Sequence, residues 1–203
     1  NTTTGGSSTI QLTATDAENN TLTYAPTDAS NSNIGVSGSN GNFTVSTEGG
    51  LTGLQSIEFG VRDDANKYVK LTVPMFIAPA APLSIAFQPP LGQSGQITNL
   101  NNSAGKTLTF LVTLPATGNG STVTIYDGNI AIGSASVGAG VTSVLVTTDG
   151  LAEHFLTDGN HTFTAKQSLN YDENSTMVAG RTIPAGTLTS AASASTTLVV
   201  QDR

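Results

Sequence analysis

Short runs of alternating apolar and polar residues, cut at intervals by Gly, Asn, Asp and Pro, dominate this chain and leave it few ways to fold. Successive side chains of a strand point to opposite faces, so each run describes a strand with one buried face. In 55–62, Ile57, Phe59 and Val61 share a face while Glu58 and Arg62 point away. In 107–114, Leu108, Phe110, Val112 and Leu114 alternate without a break. The pattern predicts strands at 9–15, 21–25, 42–47, 55–62 and 68–76. Further strands are expected at 83–88, 107–114, 121–126, 130–137, 141–147, 161–167 and 195–200. Asp127-Gly128-Asn129 supplies the residues of a tight hairpin between two of them. Helical spacing is confined to a single turn within 149–156, where Leu151 and Phe155 stand four apart.

The prolines of Ile77-Ala78-Pro79-Ala80-Ala81-Pro82 cannot continue a strand ladder and favour a stiff, extended connection. Complete sets of strands lie on both sides of it. The segment reads either as a proline-interrupted edge strand within one domain or, the favoured reading, as a linker that divides the 203 residues into a first domain, 1–78, and a second, 79–203. Pro74 suggests an edge or the end of its strand. The polar stretch 172–194 is expected to be either an extended loop or an extra hairpin centred on Arg181-Thr182-Ile183.

With no cysteine, stability must come from apolar burial and sheet hydrogen bonds. Only 10% of residues are charged, and Thr, Ser, Gly and Asn solvate the surface instead, as in exported proteins. Fourteen acidic residues against seven basic ones give a net charge of −7, the wrong balance for a phosphate backbone or an anionic membrane. No apolar run reaches the roughly 20 residues that span a bilayer. The start, Asn1-Thr2-Thr3-Thr4-Gly5-Gly6, does not read as a signal peptide, so a mature product or an excised fragment is expected.

Three separated segments carry a resemblance in the second half: Thr122-Val123-Thr124-Ile125-Tyr126-Asp127-Gly128, Ile132-Gly133-Ser134-Ala135, and 156–165 with Asn160-His161-Thr162-Phe163 at its centre. This half resembles the bacterial immunoglobulin-like repeats of large adhesins. In the first half, 12–24 (Leu12 to Tyr24) followed by Ile57-Glu58-Phe59-Gly60-Val61-Arg62-Asp63-Asp64 is similar to cadherin-like repeats. The resemblances imply an all-β fold of two tandem immunoglobulin-like β-sandwich domains. Such repeats open with a strand ahead of the one bearing Leu12. Here only the Gly/Ser/Thr-rich stretch 1–8 precedes it, so the first domain is expected to lack its first strand.

The cadherin-like resemblance also draws attention to acidic turns. Asp16 and Glu18 flank one, Asp63 and Asp64 another, and both follow strands expected to run the same way. Calcium needs six to eight oxygens, which carbonyls and Asn19 or Asn20 would complete. The linker lacks an acidic cluster, and Asp and Asn are ordinary turn residues. No cofactor is otherwise required. His154 and His161 are the only histidines, and neither a Gly-x-Ser-x-Gly elbow nor a His-Glu-x-x-His motif is present, so no enzyme is expected. With no Trp, sugar-stacking surfaces are poorly supplied. Asn-x-Ser/Thr sequons at Asn1, Asn19, Asn42, Asn101, Asn119, Asn160 and Asn174 arise readily in an Asn- and Thr-rich chain.

The expected function is a structural or adhesive module of a microbial extracellular surface, a spacer or interaction domain contacting neighbouring repeats or identical subunits. The alternative is a subunit of a filament or surface layer, with 1–8 or 195–201 donated as a strand to a neighbour's open edge. A third reading uses 172–194 as a ligand loop. No nucleic acid and no membrane insertion are expected.

Overall fold

The structure, a computed structural model, describes residues 1–93, 95–98, 102 and 105–201. The strands run β1 (Thr2–Thr3), β2 (Ser7–Gln11), β3 (Thr23–Ala29), β4 (Ile34–Ser39), β5 (Asn42–Thr47), β6 (Gly53–Arg62) and β7 (Tyr68–Ala78). They continue as β8 (Ser84–Gln88), β9 (Ile97–Thr98), β10 (Thr109–Thr113), β11 (Thr122–Asp127), β12 (Ile130–Ser136), β13 (Ser143–Thr147) and β14 (Gly159–Tyr171). Last come β15 (Asn174–Val178), β16 (Arg181–Ile183), β17 (Gly186–Thr189) and β18 (Thr196–Gln201). The helical turn expected within 149–156 is a three-residue 3-10 turn, Ala152–His154.

Two compact units form. The first comprises Asn1–Ala78 together with Asn170–Leu188, the second Pro79–Leu169 together with Thr189–Arg203. In the first, one sheet has the order β1-β7-β6-β3 and the other β2-β5-β4. Their inner faces meet in a core of Leu12, Ile34, Phe43, Val45, Ile57, Phe59, Met75 and Ile77. The rings of Phe43 and Phe59, one from each sheet, lie 4.9 Å apart. Asn40 and Gly41, with φ of 53° and 81°, make the two-residue turn between β4 and β5, the geometry that matches the twist of a hairpin.

The second unit is also a β-sandwich. Its small sheet is β13-β10-β8 and its large one β12-β11-β14-β18-β9. Phe110 of β10 contacts Phe163 of β14 at 4.9 Å between ring centres, inside a continuous core with Val112, Val123, Ile125, Ile132 and Val146. Gly133 explains itself here. A Cβ on it would sit 2.2 Å from the carbonyl oxygen of Thr147, so only glycine lets β12 lie this close to β13.

Two expectations need correction. The stretch 1–8 is not idle: Thr2 and Thr3 pair in parallel with Ile77 and Ala78, and after the turn at Gly5 the chain enters β2 on the opposite sheet. The first strand is present but only two residues long, because the polar Thr-Gly-Gly-Ser sequence offers nothing to bury. Likewise, 170–188 belongs to the first unit rather than the second. The excursion forms the β15–β16 hairpin, with Tyr171 packed 5.4 Å from the ring of Phe76 on the outer face of β7. Its apolar residues find that outer face, a partner no local pattern could reveal.

Candidate functional site

The first unit has an unfinished seam between its sheets. β2 pairs with β5 on one side only and forms the edge of its sheet. The Leu12 N–H donates to Gly41 at 2.7 Å, and the Gly6 carbonyl accepts from Thr47 at 3.1 Å. Backbone direction alternates along a strand. Even-numbered residues of β2 therefore face β5, while Ser7, Thr9 and Gln11 turn their N–H and C=O groups to the open edge. None of these three is charged or a proline, the usual guards of an edge.

Across the seam lies β7, bordered by β1 only at its last two residues. Thr4 donates to the carbonyl of Ala78 at 3.0 Å, so the even residues of β7, among them Lys70 and Pro74, face that border. Here the edge is guarded, since Pro74 has no N–H and Lys70 is charged. The inward residues of β7 are less well served. Val69 and Leu71 stand opposite Val61 and Phe59 on the core-facing side, yet they are 66% and 43% exposed. The facing sheet stops short of them.

The acidic turns open onto the same seam. Asp16 and Asp63 line one groove with Leu22, Val61, Val69 and Leu71. Asp63 is 5% exposed. Its Oδ1 accepts the Lys67 N–H at 2.6 Å, closing the β6–β7 turn, while its Oδ2 is buried without a hydrogen-bond partner. Asp16 Oδ1 accepts from the N–H groups of Glu18 and Asn20 at 2.9 and 3.0 Å. Glu18 is 3.8 Å from the Lys67 ammonium, and Asp64 is exposed and does not line the groove. The four carboxylates named from the sequence thus divide: two share a groove and two do not. Among the described residues no three His, Cys, Asp or Glu side chains converge to hold a metal ion. Lys67 and Lys70 also stand in the groove wall, so two of the four carboxylates share the groove with two cationic side chains. Lys70 is bound to Glu58 at 2.8 Å. That bond, with a second from Thr27, holds the Glu58 carboxyl below its ordinary range and keeps Lys70 protonated to higher pH.

Both histidines serve local architecture. His161 Nδ1 is 2.6 Å from Asp127 Oδ2, and Nε2 is 2.8 Å from the Thr157 carbonyl oxygen. Asp127 and His161 come from two of the segments that carry the adhesin-repeat resemblance, and their bond ties β11 to β14. His154 Nδ1 lies 2.7 Å from Asp149 Oδ2 on the surface. Asp149 is held below the usual carboxylate range, chiefly by the Leu151 N–H and secondarily by His154. Neither ring nitrogen of His161 is left to act as a base. Gln167, fully buried, donates to Ala80 and accepts from the Gly120 N–H, each at 2.9 Å. Of the sequons, Asn174 uses its Oδ1 to accept from Thr176 and Met177 N–H groups, and Asn101 lies outside the described residues.

No protein-family model matches this chain, and no curated protein matches it by sequence. Solved structures with similar architecture include fibronectin(III)-like modules of Clostridium thermocellum CbhA, at 12% identity and a TM-score of 0.37, covering 98% of this chain and 89% of that one. Human protocadherin-24 EC1-2 is similar at 15% identity and a TM-score of 0.34, covering 98% and 90%. Extracellular cadherin domains 3–6 of protocadherin gamma B2 are similar at 13% identity and a TM-score of 0.28. The match covers 94% of this chain, which spans 41% of that protein's length. At this distance no particular repeat family is assigned, and the description as two β-sandwiches stands on the strand order itself. Among the described residues no helix is long and apolar enough to cross a membrane.

Proposed function

We propose that this chain is a structural or adhesive module of a microbial extracellular surface, acting as spacer or interaction domain. The observation that supports this best is the contrast between a closed polar interior and an open strand edge. The histidine ring and buried amide of the second unit are engaged in bonds that hold strands together, as His161 with Asp127 and Gln167 with Gly120. Among the described residues, β2 of the first unit pairs with a strand on one side only, which leaves the backbone of Ser7, Thr9 and Gln11 at an edge suited to binding and not to catalysis. The low charge and the hydroxyl-rich surface agree with a protein that works outside the cell.

The strand-donation alternative draws on the same edge, with one adjustment. Thr2–Thr3 and Ser7–Gln11 pair with β7 and β5, and Thr196–Gln201 pairs with β14 through Thr196–Val200. Both candidate donor stretches are thus held within their own chain. The edge at β2 remains available as an acceptor.

Surface labelling tests the proposal. Antibody raised against the purified chain should decorate intact cells of the source organism, and external protease should remove the signal. Protection of the chain until the cells are lysed would refute an extracellular role.

A further inference from the structure

Three polar groups from three parts of the chain meet at one end of the second sandwich. Asp127 ends β11, His161 lies near the start of β14, and Thr157 belongs to the connection that leads into β14. The turn after Asp127 is anchored beside them, where the Gly128 N–H donates to the Thr162 carbonyl at 3.0 Å. His161 Nδ1 is 2.6 Å from Asp127 Oδ2, and its Nε2 is 2.8 Å from the Thr157 carbonyl oxygen.

These groups need more protons than they ordinarily carry. A neutral imidazole has one N–H and one bare lone pair, whereas a backbone carbonyl and an ionised carboxylate only accept. Two acceptors at hydrogen-bond distance therefore require two ring protons. A carboxyl proton on Asp127, donated to a neutral ring, satisfies the same contacts with the same count. Either way the cluster holds one proton more than an ionised aspartate beside a neutral histidine. Without it, lone pair faces lone pair at one of the two contacts, and that bond opens. The side chains of His161 and Asp127 are only 14% and 19% exposed, so water has little room to replace the lost partner.

We infer that His161, Asp127 and Thr157 form a pH-sensitive clasp, shut in acid, that opens one of its two bonds as pH rises through the range in which histidines titrate. A proton demanded by the folded chain and not by the unfolded one adds stability as pH falls, and that contribution is lost as pH rises. The surroundings offer no substitute for it. β18 sets the neutral Leu198 opposite His161, β12 sets Ile130 opposite Asp127, and the Phe163 ring stacks on the imidazole at 6.3 Å. Lys166, further along β14, lies over the Tyr126 ring at 5.3 Å. In the connection before β14, Asp149 is bonded to His154, and Glu153 and Asp158 are the other acidic groups. His154 is a contrast within the same molecule. Its Nδ1 meets Asp149 Oδ2 at 2.7 Å, with no second acceptor at Nε2 among the described residues, so a neutral ring keeps that bond.

The test uses the purified full chain and does not depend on its cellular location. Between about pH 8 and about pH 5, the folding equilibrium constant of the wild type should rise roughly tenfold more than that of His161→Gln. Asp127→Asn separates the clasp from an ordinary structural contact. An asparagine amide can donate to a neutral Nδ1 while Nε2–H donates to Thr157, so both bonds form without the extra proton. That variant should lose the pH dependence and be at least as stable as the wild type at about pH 8. His154→Gln should leave the dependence unchanged. Full wild-type pH dependence in either His161→Gln or Asp127→Asn overturns the proposal. Should neither variant fold, nitrogen-15 spectra of the wild-type rings decide, and His161 signals that stay constant across this range overturn it equally.

Discussion

The two β-sandwiches differ most at the strand after the first crossing between sheets. In the second unit β10 is a central strand, and its inward side chains Phe110 and Val112 are fully buried. In the first, β2 is an edge, and Ile10 packs only partly against its core. The lesson is that equal alternation does not produce equal burial. Both small sheets have three strands, but β10 lies in the middle of one and β2 at the edge of the other, and burial of an inward residue follows that position.

The sharpest way to break the comparison is to truncate the side chains it turns on. Phe110→Ala should cost about 3–5 kcal/mol by chemical denaturation, since a fully enclosed ring leaves a cavity. Ile10→Ala should cost only about 1 kcal/mol, as befits a half-covered edge position. Equal losses would mean that the edge is already closed in the free chain. Next in size is Gly133→Ala, which forces a methyl against the Thr147 carbonyl oxygen and should cost roughly 2 kcal/mol. His161→Gln should cost about 1–3 kcal/mol through the bonds to Asp127 and Thr157, with no change in the exchange rates of β2 amides.

Hydrogen exchange sharpens the contrast without mutation. The amides of Thr109, Leu111 and Thr113 should exchange orders of magnitude more slowly than those of Ser7, Thr9 and Gln11. Similar protection in both sets would contradict an open β2 edge. The smallest effect belongs to the surface pair Lys70–Glu58. Because Glu58 is held below its ordinary range, the pair's contribution is present above that range and fades as pH falls through the depressed value. Lys70→Met should therefore lower the melting temperature slightly near neutral pH, and the difference should vanish in acid. A difference that persists in acid would assign the effect to the lysine stem and not to its charge.

Much of this architecture is legible in the residues. Asn42–Thr47 matches its expected strand, and the strand with Leu108 to Leu114 forms the spine of the second core. β4 escapes the alternation pattern, although Ser39-Asn40-Gly41-Asn42 contains the asparagine–glycine pair favoured by two-residue hairpins. Gly35, Gly38 and the serines of this strand dilute its apolar signal until only Ile34 and Val36 remain. Of the acidic residues, Asp16 and Asp63 do meet in one groove, as the expectation of neighbouring turns requires, yet their companions Glu18 and Asp64 turn elsewhere. Turn geometry decides that, and sequence spacing does not encode it. Nothing in Ser7–Gln11 announces an edge, because Ser-Ser-Thr-Ile-Gln reads like any weakly apolar strand.

The sequence by itself determined the class: period-two alternation, turn residues and prolines admit sheets and exclude helices, since burial of one strand face is local chemistry. Tertiary structure decided the rest. It assigned the β15–β16 hairpin to the first unit, left β2 without an outer neighbour, and buried one oxygen of Asp63 with no partner. Each of these depends on which distant segments meet, and a pattern that repeats every two residues carries no information about that.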